Sequence, residues 1–380
     1  MQYNSRTKKP QTRRPTIPLP VVVGAVLLLV LVLTVVAFSL SSPAASGEIG
    51  RAVRLGATTS QKVTAFGNDI LYYDGTNLKC VSTGASSKWS FQIGANAGFH
   101  AGTSRVVAWS ANQVTVLSNR GTSSYIDKMS DEVQFARAGN EYVAIFSGTQ
   151  DNGVISVINA DGQSVDEIAV TDQTLLDIGF FTSAQTAGNV ELMWVLGVDT
   201  TGTVISTTLS TYQPGKLATG SITLGEHIAY KVYYYDGLLR VVDTQKISAY
   251  DYKLKADSST ADVLIYGWHL QDVRTVGKST YQLLVPSPEL DGSLSASNLR
   301  LMTGTSDKVL HLPAACMSAY LGSQSVYAFT GTTLYACRYG DNVFTAYTLP
   351  VQITSVLGLL SDDTVIVASG TEAYVISLPR

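Results

Sequence analysis

The sequence predicts an all-β fold, an eight-bladed β-propeller preceded by one N-terminal transmembrane helix. Three observations predict it. Residues 21–40 form an uncharged apolar run long enough to span a bilayer. After Leu40 no stretch sustains the i, i+3, i+4, i+7 spacing of an amphipathic helix. From there on, β-hairpin units recur with a period of about 40 residues, as propeller blades do.

The span comes first. Its ends are Val21 and Leu40, and fifteen of its residues are Val, Leu or Phe. A helix of that length rises about 30 Å, the thickness of the hydrocarbon core. Each central Val, Leu or Phe favours insertion by about 0.3–0.6 kcal/mol, and one Gly with two hydroxyls does not offset the sum. A secretory signal has a shorter apolar core of about 7–15 residues, so the run reads as an uncleaved signal anchor.

Charge sets the orientation. Arg6, Lys8, Lys9, Arg13 and Arg14 precede the span without an acid, which keeps residues 1–20 cytoplasmic. This basic, Pro-bearing tail is expected to be disordered. The rest of the chain carries 21 basic against 29 acidic residues. That acidic balance argues against nucleic-acid partners. Residues 41–47 (SSPAASG) read as a flexible linker, and residues 48–380 as the extracytoplasmic propeller.

The units follow in order. Asp69–Ser82, Arg105–Ser118, Ser325–Arg338 and Thr364–Ser377 each place β-forming residues on both sides of a short polar turn. Longer hairpins occupy 141–159 and 190–209. Eight units cover 62–91, 98–127, 133–170, 175–223, 228–266, 270–312, 316–348 and 353–377. The loops at 212–226 and 286–297 blur two boundaries, so seven blades is the alternative count. The last unit lacks a fourth strand, and Glu48–Leu55 is expected to supply it and close the ring.

Residues 72–84 (YYDGTNLKCVSTG), followed by Lys88-Trp89-Ser90-Phe91, resemble a quinoprotein-like (PQQ-type) propeller repeat. The Trp stands one residue later than usual, and the other units keep the hairpin without the Thr-Gly…Trp element. The resemblance implies that Trp89 packs between blades. The whole chain resembles a family of single-pass, membrane-anchored extracytoplasmic β-propeller proteins of Gram-positive, Clostridia-type bacteria. That resemblance implies a location and brings no activity.

Chemistry-bearing motifs are sparse. His100, His227, His269 and His311 are isolated, so no local spacing suggests a metal site. Asp-Gly pairs at 74, 161, 236 and 291 fit hairpin turns, and no D-x-D-x-D-G calcium string exists. There is no G-x-S-x-G elbow and no P-loop. Cys80, Cys316 and Cys337 sit in strand-like stretches and read as buried free thiols. A Cys316–Cys337 disulfide is excluded on the expectation that the two lie two strands apart in one sheet. The Tyr runs at 233–235 and 250–252 offer contact surface for protein or sugar, or packing between blades.

These features predict a binding or scaffold module for envelope proteins or wall glycans, with no cofactor. The competing class is an extracytoplasmic enzyme, either a glycan hydrolase or lyase or a quinone-dependent dehydrogenase. Four Trp are too few for repeated Trp docking, which weakens the dehydrogenase version. A sensor is the third class, and its short tail offers little output surface.

Overall fold

The computed structural model describes residues 45–380, apart from 187, 217, 226, 288–294 and 305. The basic tail, the 21–40 run and residues 41–44 lie outside that set. Among the described residues every regular element is a strand, and no helix is long and apolar enough to cross a membrane.

The strands form eight separate sheets, which settles the blade count at eight. Within blades 1 to 7 the chain runs antiparallel from the inner strand outward. Blade 1 is typical, with strands Val63–Phe66, Asp69–Tyr73, Asn77–Ser82 and Ser87–Gln92. The inner strands of blades 2 to 4 are Gly98–Ala101, Val133–Ala138 and Thr174–Thr182. Those of blades 5 to 8 are Lys231–Tyr235, Trp268–Val276, Ser318–Leu321 and Ser355–Leu359.

Each middle strand is apolar on both faces because each blade is sandwiched between two others. In blade 2, Val106 and Ala108 join the cluster shared with blade 1, while Val107 joins the cluster shared with blade 3. Strand alternation alone divides them. One buried cluster fills each seam around the circle, including the seam between blades 8 and 1. There Leu55, Ala57, Ile366 and Val375 meet Ile70 and Tyr72.

The ring closes through an N-terminal strand, with a shift from the expected bounds. Val53–Thr58, not Glu48–Leu55, pairs antiparallel with Glu372–Ser377 and becomes the outer strand of blade 8. The reason lies in alternation. Leu55 and Ala57 are buried on one face while Arg54, Gly56 and Thr58 are exposed on the other. Residues 45–48, the end of the expected linker and the first residue of the expected closing strand, do something different. They pair in parallel with Thr345–Thr348 and give blade 7 a fifth strand.

Seams are also stitched at the perimeter. Trp89, on the outer strand of blade 1, donates its Nε1–H to the Asn119 carbonyl at 3.0 Å, in a turn of blade 2. Gly121 in that turn has a φ of +76°, and a Cβ there would stand 2.6 Å from the indole. Tyr125 meets Gly162 of blade 3 in the same way. Glycine is required at 121 for both the left-handed backbone and the close approach.

The thiols need one correction. Cys80, Cys316 and Cys337 are free and buried. Cys316 ends the outer strand of blade 6 (Ser306–Cys316), whereas Cys337 lies in blade 7 (Thr333–Arg338). They occupy neighbouring blades facing one seam, not a single sheet. Burial pushes the Cys316 thiol up to about 12, and Cys80 and Cys337 up to about 11. The thiolate is the reactive form. The native protein is therefore expected to resist a maleimide at pH 8 and to label at all three cysteines once unfolded, read by mass spectrometry.

The closing strand generates a stability prediction. Leu55→Ala is expected to lower unfolding free energy by about 2–4 kcal/mol in urea denaturation. Arg54→Ala, which removes an exposed ion pair with Glu372, is expected to cost about 0–1 kcal/mol.

Candidate functional site

A cavity of about 650 Å³ lies at the mouth of the channel beside the inner strands of blades 2, 3 and 4. His100, Arg137, Asp177, Phe180, Glu191 and Trp194 supply its side chains. A second cavity of about 390 Å³ lies beside blades 6 to 8, against Asp272, Arg274 and Tyr320. Ser361 borders both.

Bulges in the inner strands place the acids. Register slips between Leu175 and Asp177 in blade 4, and between Leu270 and Asp272 in blade 6. At each bulge the carboxylate accepts the next backbone N–H, from Ile178 at 2.9 Å and from Val273 at 2.8 Å. Each carboxylate also reaches a neighbouring blade, Asp177 through the same Oδ1 and Asp272 through its other oxygen. Asp177 takes the Arg137 Nε–H at 2.8 Å and Nη2 at 2.7 Å from blade 3. Asp272 accepts the Leu321 N–H of blade 7 at 2.9 Å.

Two buried carboxylates hold the turns of the preceding blades. Glu191, the first residue of the second strand of blade 4, accepts three amides from a turn of blade 3. They are Asn140 at 2.7 Å, Glu141 at 2.7 Å and Tyr142 at 3.1 Å. Asp363 stands at the equivalent entry to the second strand of blade 8. It accepts the Ser323 N–H at 2.6 Å and the Ser323 hydroxyl from blade 7. Arg274 completes that side by donating to the Leu321 and Ser361 carbonyls at 2.9 and 2.7 Å.

His100 links blades 2 and 3. Its Nδ1 accepts the Ala138 N–H at 3.1 Å, so the neutral ring carries its proton on Nε2. Burial, reinforced by Arg137 and Lys62, pulls its pKa down to about 4. The other histidines are dispersed. His311 Nδ1 pairs with Asn298 at 2.7 Å, His269 stacks on Tyr230 at 4.6 Å, and His227 borders a groove beside blade 5. Among the described residues no group of three His, Cys, Asp or Glu could hold a metal ion.

The tyrosine run serves packing. Tyr233 and Tyr234 alternate into the seams on either side of blade 5, and Tyr250 and Tyr252 join the seam with blade 4. Sequence reading missed Arg137, Asp177, Glu191, Asp272, Arg274 and Asp363. The repeated Leu-x-Asp-(Ile/Val) at 175–178 and 270–273 was the available signal for the bulge acids.

Comparison with known proteins extends the fold alone. No family model and no curated protein matches the sequence. Among solved structures, Sqt1 of Saccharomyces cerevisiae superposes with a TM-score of 0.55 at 10% identity, over 89% of this chain and 100% of its own. BamB from Moraxella catarrhalis superposes with a TM-score of 0.50 at 8% identity, over 86% of this chain and 96% of its own. At such identities the shared property is the ring of blades.

His100 gives a pH prediction. Its folded pKa is depressed, so the unfolded chain binds the proton more readily. Stability is complete above the unfolded value of about 6.5 and falls as pH drops toward 4, by up to about 3 kcal/mol. His100→Asn, which retains an acceptor but does not titrate, is expected to flatten that part of the profile in urea unfolding. Glu191→Ala removes the acceptor of three part-buried amides and is expected to cost about 1–2 kcal/mol in the same assay.

Proposed function

We propose that the protein is a membrane-anchored binding module. In this reading the 21–40 run spans the cell membrane with the basic tail inside, and the propeller holds an envelope protein or a wall glycan outside. The anchor rests on the uncharged run and on the five basic residues before it.

One observation carries the binding reading over an enzymatic one. Glu191, the buried carboxylate at the channel mouth, is spent at both oxygens on a neighbouring blade. Asp177 and Glu191 border the same cavity, as a glycosidase pair would. Yet Glu191 accepts backbone amides at both oxygens, and Asp177 is bound at Oδ1 to the Arg137 guanidinium. A general acid must carry a proton on such an oxygen and deliver it to the leaving group. Glu191 is not placed to do so, and without it the pair lacks one of its two members.

The experiment has two readouts on intact cells. The full chain is expected to stay in the membrane fraction after carbonate extraction, with the propeller digested by external protease and the tail protected. Crosslinking is expected to recover one envelope protein or glycan reproducibly. Release into the soluble fraction, or protection of the propeller, would overturn the anchor. Turnover of a wall glycan that disappears in Asp177→Asn would overturn the binding reading.

A further inference from the structure

The two rims of the ring differ in surface chemistry. One rim carries the turns between first and second strands and between third and fourth strands, and includes the channel mouth. The opposite rim carries the turns between second and third strands and the links from blade to blade. Exposed large apolar side chains concentrate on this second rim. Val204 and Ile205 lie in the 200–205 turn of blade 4, each about half exposed. Ile228 and Met317 lie in links between blades, and so does Tyr266, at 74% exposure. Leu264, at the end of the outer strand of blade 5, is 70% exposed.

Charge on that rim is predominantly negative. Asp131 and Glu132 link blades 2 and 3, Asp151 sits in the blade 3 turn, and Asp172 links blades 3 and 4. All four are exposed, and none makes an ion pair among the described residues. Lys62 is the one base in the described turns and links here. Its Nζ is turned to the Phe99 carbonyl at 2.5 Å and lies 4.6 Å from the Phe99 ring. Lys128, at the end of a strand, stands between Asp127 and Asp131 in sequence. On the channel-mouth rim both signs mix, with Arg120, Lys216 and Lys278 among Asp161, Asp236 and Asp341.

Grooves accompany the patch. A groove of about 320 Å³ is lined by Tyr125, Met129 and Val154 together with Asp131, Glu167 and Lys128, a net acidic lining. Exposed apolar surface bordered by uncompensated carboxylates is complementary to apolar residues flanked by Lys and Arg. Unpaired acids also steer a cationic partner toward the rim.

We propose that the link-bearing rim over blades 2 to 6 is the docking face, and that its occupant is a basic polypeptide surface with exposed aromatic or aliphatic residues. This rests on the binding-module reading and specifies its partner. Lys and Arg of the partner meet Asp131, Glu132, Asp151 and Asp172. Its apolar residues cover Val204, Ile205, Leu264 and Tyr266.

The test uses the full chain in neutral-lipid nanodiscs and a fluorescent peptide of alternating Lys and Tyr as probe. Empty nanodiscs set the background, and anisotropy reads binding at low and high salt. Saturable, salt-weakened binding is expected. The triple variant Asp131→Lys, Glu132→Lys, Asp172→Lys should weaken it about tenfold or more. Leu264→Ser with Tyr266→Ser should weaken it about threefold to tenfold and leave the salt dependence intact. Asp161→Lys with Asp341→Lys, on the opposite rim, should change nothing. Wild-type affinity in the triple variant, or an equal loss in the opposite-rim variant, overturns the proposal. A partner crosslinked in cells through the channel-mouth rim would overturn it too, while leaving the binding-module reading standing.

Discussion

The contact between one blade and the next is the constraint on which everything else depends. A four-stranded sheet with apolar side chains on both faces cannot stand alone in water. Each such face in this chain is covered by the face of an adjacent blade. A row of blades would always leave two faces bare, so the row must become a ring. Closure is then an energetic requirement, and Val53–Thr58 meets it by joining the sheet that ends the chain. Covering both terminal faces of a ring of this size hides apolar surface worth several kcal/mol.

The same requirement shapes the polar groups. Turns at the channel mouth expose backbone amides beside a neighbouring blade, and buried amides need acceptors. Glu191 and Asp363 supply them from corresponding positions in blades 4 and 8, four seams of the ring apart. Arg137 and Arg274 do the complementary work for carbonyls and carboxylates. Much of the polar machinery of the channel thus holds neighbouring blades together, and the proposed docking face lies on the other rim. The turns of that link-bearing rim are held mostly by their own residues. Asp243, for example, accepts the Gln245 and Lys246 amides within its own turn.

Much of the fold was legible because hairpins are local. Alternation on both sides of Asp74-Gly75 or Gly331-Thr332 marks a strand pair without knowledge of anything distant. Closure was legible in kind, since a last blade lacking a strand must borrow one, but not in register. Leu55 and Ala57 define the buried face only once blade 1 is seen against them. Cys316 was misplaced because the outer strand of blade 6 runs longer than its apolar core suggests. The channel residues were the least legible. Glu191 serves amides about fifty positions upstream, and Asp363 serves a turn forty positions upstream. Such spacings reflect the blade period and carry no local pattern.

The central claim is that Val53–Thr58 is an integral strand of the closed ring. Native-state hydrogen exchange on the full chain tests it most directly. The account predicts that amides of 53–58 paired with Glu372–Ser377 exchange only with global unfolding, at the rate of the middle strand Thr364–Ser369. Exchange of 53–58 at loop rates, while 364–369 stays protected, would contradict it.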